Sequence, residues 1–268
     1  MKRYGYGLGY SRNTRVGTGS PPTQIYNVNS ATYNGSTSYN EAPAPVASAL
    51  QIGTQEFSAN IWVKSTNTTS SQMIIHCGGI VDSNYWDLYT LDDGGTPKAE
   101  LRFVSDRAQF DMSSVLDGDW HQLTPIKDHS GTQNGKTGQV RLLIDGIEQT
   151  PTFTSRPSNL DAVNVGGGDD PITFGRRSRT TNLYFDGSLD FASIHVGTVI
   201  TPADALTNYG TGTPKCIEDS VIESTITEAW DLGTYTGSRG ALVGYKGVQD
   251  LTTEVDVTYT DQGLQVEC

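Results

Sequence analysis

The sequence predicts an all-β protein, a two-sheet antiparallel sandwich with an extended N-terminal arm and a C-terminal β extension. Three observations carry this. Apolar and polar residues alternate over short runs, as in Phe57-Ser58-Ala59-Asn60-Ile61-Trp62-Val63-Lys64, the period of a strand with one face inward. Two-residue turn signals such as Asn134-Gly135 and Asp145-Gly146 punctuate the runs, and these pairs tolerate the positive φ of a tight hairpin. No long helical pattern intervenes, and the 30 glycines and 11 prolines suit many turns between short strands.

Residues 1–27 read as the arm. Tyrosine and glycine alternate around Tyr4, Tyr6 and Tyr10, and Arg12 and Arg15 follow before the Ser20-Pro21-Pro22 break. Without a sustained apolar pattern this segment forms no core. Its rings need a surface, and its arginines in an acidic chain favour a neighbouring subunit over the chain's own sandwich.

Residues 28–212 read as the sandwich. Strand signals begin at Ser30 and continue through Phe57–Lys64, 72–77, 85–91, 99–104, 120–126, 139–144, 147–153, Ile172–Phe174 and 183–196. Trp62 interrupts the polar register of its strand, so that face should be covered as well. One helix is expected at 201–210, with Thr201 as cap, Pro202 in the first turn and Gly210 as stop. Beyond it, residues 213–268 carry two further strand patterns, 221–232 ending near Trp230, and 254–260 with Val255 and Val257 alternating. A piece this short cannot bury a core of its own. It should add strands to the sandwich or reach a partner.

Composition excludes some partners. The formal charge of −12 and a pI near 4.6 oppose binding to nucleic acid or anionic membrane. No run of apolar residues is long enough for a membrane span. The N-terminus begins Met1-Lys2-Arg3 but lacks the apolar stretch of a signal peptide, so the expected site of synthesis is a cytoplasm. Cys77, Cys216 and Cys268 are widely spaced and odd in number, which fits neither a disulfide framework nor a CxxC metal site. Cys77 reads as a small buried residue; pairing of Cys216 with Cys268 stays open, although a reducing cytoplasm opposes it.

Several stretches, in order, resemble the concanavalin A-like lectin/glucanase superfamily, and within it the laminin G-like jelly-roll domains. Residues 31–39 look like an opening F-D/N-G-x-x-x-Y strand, and Phe57–Lys64 resembles F-T-I-x-A-W-V-K. Asp117-Gly118-Asp119-Trp120-His121-Gln122-Leu123 is similar to D-G-x-W-H-H-V, Leu143-Ile144-Asp145-Gly146 to L-Y-V-D-G, and Ile172-Thr173-Phe174-Gly175 to I-x-I-G. Residues 185–194 look like F-x-G-x-L-D-E-V-R-I. Gln122 stands where the pattern has a second histidine, and Asp190-Phe191-Ala192 replaces D-E-V. The resemblance implies a concanavalin A-like jelly roll in which Trp120, His121 and Asp145 are scaffold. It also implies that calcium could bind between loops, with Asp82, Asp106 and Asp186 as weak candidates; acidic turn residues are the simpler account of them, and no cofactor is expected.

Glycosidases of this fold carry paired carboxylates on one strand face. The near match here, Glu254-Val255-Asp256, lacks the third acid and lies outside the matched region. The histidines His76, His121, His129 and His195 show no metal-ligand spacing, and neither a G-x-S-x-G elbow nor a phosphate loop occurs. The expected protein is therefore not an enzyme. The ligand clue is aromatic: Tyr85 and Trp86 beside Asp82 and Asn84 could stack on a sugar, although a core place for Trp86 is the stronger reading. Arg176, Arg177 and Arg179 form the densest basic cluster, either a contact with a neighbour or a solvated loop.

The first expectation is a non-enzymatic structural protein of a bacteriophage virion. It would decorate the capsid or belong to a head fibre or tail, oligomeric on the particle, with the lectin-like sandwich serving assembly and adhesion to surface glycans. It would contact other virion proteins or copies of itself through the arm, which resembles the arms virion subunits lay over one another. The alternative is a freestanding carbohydrate-binding lectin module; a glycan depolymerase ranks last.

Overall fold

The computed structural model describes residues 25–42, 48–79, 84–165, 171–178, 183–210, 212, 223–230, 232, 251 and 253–267. Sixteen strands run along these residues: β1 (Ile25–Asn34), β2 (Tyr39–Glu41), β3 (Phe57–Lys64), β4 (Gln72–Gly79), β5 (Asn84–Asp93), β6 (Thr96–Phe103), β7 (Asp106–Asp111) and β8 (His121–Gln133) are followed by β9 (Lys136–Ile144), β10 (Ile147–Glu148), β11 (Thr152–Ser155), β12 (Ile172–Phe174), β13 (Asp186–Val196), β14 (Glu228–Trp230), β15 (Thr253–Val255) and β16 (Thr258–Glu267). They form two antiparallel sheets. The first runs β10-β9-β8-β3-β13-β1-β16, with β14 also on β13; the second runs β11-β7-β6-β5-β4-β12-β2-β15. The expected all-β, two-sheet sandwich is the fold observed.

The core lies between the sheets. From β3 come Phe57, Ala59, Ile61 and Val63, all buried. The Phe57 ring meets Trp86 at 4.6 Å and Phe103 at 6.2 Å, so neighbouring inward rings close the two sheets together. One inward position is a lysine. Lys127 of β8 is fully buried and its Nζ donates to the carbonyls of Gln55 (2.9 Å), Val163 (2.9 Å) and Gly53 (3.4 Å). Burial pushes its pKa down to about 8.

Both faces of β3 are covered. The outward Trp62 stacks on Tyr209 of helix α1 (Pro202–Tyr209), with centroids 5.7 Å apart and planes 16° from parallel. The Thr201 hydroxyl accepts from Asp204 N, and Gly210 closes the helix in the left-handed conformation at φ 54°. A small second core of Ile126, Leu143, Ile200 and Ala205 seals α1 to the first sheet.

Four strand expectations need correction. β1 starts at Ile25, ahead of Ser30 and inside the segment assigned to the arm, because β13 and β16 pair with it on its two sides. The run at 147–153 is two strands: Pro151, which has no N–H to donate, separates β10 in the first sheet from β11 in the second. The run at 254–260 also divides. Asp256 takes φ 50° and turns the chain from β15 on β2 to β16 on β1, so this segment joins both sheets. Among the described residues of 221–232, Glu228–Trp230 is strand, after a single helical turn at Glu223–Thr225.

Candidate functional site

The outer face of the second sheet carries a polar network. Period-two geometry sends Trp86 and Leu88 of β5 into the core and Tyr85, Asp87 and Tyr89 outward. On β6, Ala99, Leu101 and Phe103 point inward, which leaves Glu100 and Arg102 outside; β7 presents Arg107 and Gln109 between buried Ala108 and Phe110. Register aligns these in rows. One row reads Glu41, Thr173, His76, Asp87, Arg102, Arg107, Ser155 and the next Tyr89, Glu100, Gln109, Thr152.

Asp87 is the centre. Arg102 holds it with both arms of its guanidinium, Nε to Oδ1 at 2.7 Å and Nη2 to Oδ2 at 2.9 Å. His76 Nδ1 lies 3.6 Å from Oδ2, while His76 Nε2 faces the Gly78 carbonyl at 3.0 Å. Burial works against the carboxylate, but the His76 contact and the Arg102 charge outweigh it and hold Asp87 below the usual carboxylate range. Arg102 also lies over two rings of β5, 4.5 Å from Tyr89 and 5.7 Å from Tyr85. The Tyr89 hydroxyl donates to Glu100 Oε1 at 2.5 Å, and Gln109 Nε2 to Glu100 Oε2 at 3.0 Å. Burial and this hydrogen bond to the carboxylate push the Tyr89 phenol up. The floor of the face is buried; Tyr89 and Gln109 are half-buried, and Arg107 and Thr152 are exposed.

The structure brings some expected residues together here and removes others. Tyr85 belongs to the face, and Asn84 sits half-buried at the start of β5. Trp86 does not belong. Its ring is fully buried against Phe57, because the residue after an outward tyrosine must point inward, so it cannot stack on a sugar. Arg177 lies over Tyr85 at 5.6 Å and 3.9 Å from Asp87 Oδ2. Arg176 stacks on Tyr39 at 3.5 Å and donates to Glu41 Oε2 at 2.6 Å. Both arginines therefore make contacts within the chain. Tyr4, Tyr6, Tyr10, Arg12, Arg15, Asp82, Arg179, Cys216 and Cys268 lie outside the described residues.

The two described calcium candidates, Asp106 and Asp186, are each engaged within the chain. Asp106 is fully buried and paired with Arg156, whose Nη1 donates to Asp106 Oδ1 at 2.9 Å and to the Ser158 carbonyl. Arg156 Nη2 donates to the carbonyls of Gly138 (3.0 Å) and Thr137 (3.1 Å). A carboxylate already neutralised in the interior is unavailable to a cation. Asp186 accepts from Asn67 Nδ2 at 3.1 Å. Among the described residues no group of three His, Cys, Asp or Glu could hold a metal ion. Glu254 accepts from Tyr259 Oη at 2.6 Å, and Asp256 sits in the corner after β15, so these two acids do not form a pair on one strand face. Burial pushes the Cys77 thiol up to about 12. No helix of the described residues is long and apolar enough to cross a membrane.

Sequence reading missed Asp87, Arg102, Tyr89, Glu100, Gln109 and His76. The local signal was the period-two series Tyr85, Asp87, Tyr89; the pairing that unites three more strands with it is not a local property.

A family profile described as Concanavalin A-like lectin/glucanases superfamily matches residues 34–204. Among solved structures, a protein of Bacteroides ovatus provisionally described as carbohydrate binding superposes with a TM-score of 0.60 at 15% identity. That alignment covers 90% of this chain and 62% of the other, so the chain spans less than two thirds of that protein's length. Domains LG4-5 of the mouse laminin alpha1 chain give a TM-score of 0.43 at 12% identity, over 62% of this chain and 41% of that one. A heptameric pentraxin from Limulus polyphemus gives 0.47 at 10%, over 68% and 81%. No curated protein sequence matches.

Proposed function

Because the chain belongs to the Concanavalin A-like lectin/glucanases superfamily, we propose that it is a non-catalytic glycan-binding module that binds along the row Tyr89, Glu100, Gln109 and Thr152. The observation carrying this is the fixed, half-buried Tyr89 ring. Arg102 lies against it and Glu100 holds its hydroxyl, so little rotamer freedom is lost when a ligand docks. An aromatic surface offers contact to the apolar side of a pyranose, and Gln109, Thr152 and Arg107 flank it with donors and acceptors for hydroxyls. Asp87 is tied to Arg102, and Glu100 to Tyr89 and Gln109. Carboxylates so engaged suit orientation of a ligand better than acid and nucleophile work.

A glycan array run with and without calcium tests the reading. A restricted set of glycans should be bound, and Tyr89→Ala should weaken that binding tenfold or more, as loss of an aromatic anchor does. A flat array, or binding unchanged in Tyr89→Ala, overturns it.

Assembly with a neighbouring subunit, as on a virion, is a second reading, and one observation favours such a contact. Ile147 and Leu206, the large hydrophobic residues most exposed among those described at 65% and 52%, lie on the edge strand β10 and on the neighbouring α1, where Gly146 lies against the Leu206 backbone. Such an apolar edge suits contact with a neighbouring subunit. Deletion of residues 1–20 should then leave a folded sandwich that no longer enters particles; full incorporation of the truncated chain counts against it.

A further inference from the structure

His121 stands between two carboxylates. Its Nδ1 lies 2.7 Å from Asp145 Oδ2 and its Nε2 lies 3.1 Å from Asp117 Oδ1. An ionised carboxylate only accepts, so each contact requires a hydrogen on the ring nitrogen, and a neutral imidazole carries just one. We propose that His121 is a doubly protonated latch at neutral pH, joining the turn at 117–120 to the β9–β10 hairpin, and that loss of one proton to solvent as the pH rises releases Asp117.

The surroundings say which side opens. Asp145 is anchored across the strand pair, where its Oδ1 accepts from Gln122 N at 2.8 Å and the Tyr209 hydroxyl hydrogen-bonds to it, whereas Asp117 Oδ1 accepts from Asp119 N, inside its own turn, at 2.8 Å. Its side chain is 17% exposed, against 46% for Asp117, whose His121 contact is also the longer. A neutral ring would keep Nδ1–H on Asp145. Nε2 would then present a lone pair to Asp117, beside Asp119 and Asp145. The charged groups acting on His121 are Asp145 and Asp117, both acids, and behind them stand Tyr209 and Asp119. Hydrogen bonding to Asp145, partly offset by burial, raises the imidazole above its ordinary 6.5. The stability so contributed is complete below 6.5 and is lost as pH rises through the raised value. Tyr209 ties the latch to α1, because the same ring stacks on Trp62.

Long-range proton–nitrogen spectra of histidine-labelled protein test this between pH 6 and 10. Both His121 nitrogens should show imidazolium shifts at pH 7 and titrate above 6.5, and Asp117→Asn should move that titration downward. His195 is an internal contrast, since burial takes its pKa down to about 4, and it should be neutral throughout. An unprotonated His121 nitrogen at pH 7, or a titration point unmoved in a folded Asp117→Asn, overturns the proposal.

Discussion

Replacing Arg156 with methionine should be among the most damaging single changes in the sandwich. The substitution keeps much of the side-chain volume and removes the charge. It leaves Asp106 fully buried without its cation, with Ser158 N still donating to it at 3.3 Å, and takes the Arg156 donors from the carbonyls of Thr137, Gly138 and Ser158. Breaking a buried ion pair from one side costs about 3–5 kcal/mol, and an orphaned buried carbonyl about 1 kcal/mol or more. Relaxation and entering water offset part of this, so a loss of about 4 kcal/mol is expected. With an unfolding entropy of about 2.1 cal/mol/K per residue, such a loss lowers the melting temperature of a 268-residue chain by roughly 7 °C. Denaturant unfolding followed by near-ultraviolet circular dichroism, together with calorimetry, reads both quantities. The double variant Arg156→Met/Asp106→Leu should recover more than half of the loss, since an apolar pair tolerates burial. The reasoning fails if the single variant lies within about 1 kcal/mol of the parent, or if the double variant is no better than the single.

Two further outcomes are expected. Lys127 is held below its ordinary 10.5, at about 8, so between these values the unfolded chain binds more protons, and stability should rise with pH; the stability difference between the parent and Lys127→Met, followed by urea unfolding from pH 7 to 9, should show this rise, and a pH-independent difference contradicts it. Gly146→Ala places a methyl 2.4 Å from Leu206 Cα at a backbone φ of 78°, which should cost about 2 kcal/mol and weaken the Trp62–Tyr209 stack, as calorimetry and near-ultraviolet dichroism would register; an unchanged melting temperature contradicts it.

Much of the fold was legible because its signals are local. β3 announces itself through Phe57, Ala59, Ile61 and Val63, and α1 through Thr201, Pro202 and Gly210. The Asp145-Gly146 hairpin needs two positive φ values, and it has them, 53° and 78°. β7 escaped notice because only Ala108 and Phe110 mark its inner face, between Asp106 and Asp111. The divided segments at 147–153 and 254–260 were misread because alternation reports a strand without reporting which sheet it joins. The candidate site was the least legible part. Tyr85 and Arg177 stood out in sequence, yet what unites them is Asp87, and its partners Arg102 and His76 lie 15 and 11 positions away, aligned by register alone. Trp86 takes the core place that was its stronger reading, because adjacent strand residues face opposite ways and Tyr85 occupies the outside.

The position of β1 has a consequence for how the chain comes together. Its two neighbours are β13 and β16, at residues 186–196 and 258–267. Among the described residues, no strand close to it in sequence pairs with it. During synthesis, the partners that β1 has among the described residues would therefore reach it only after more than 150 further residues had followed. Closing loops of that length is costly in entropy and slow. An unpaired edge is also a template for wrong partners. Formation of the β1–β13 and β1–β16 ladders should thus come late, and crowding or overexpression should penalise that step before any other.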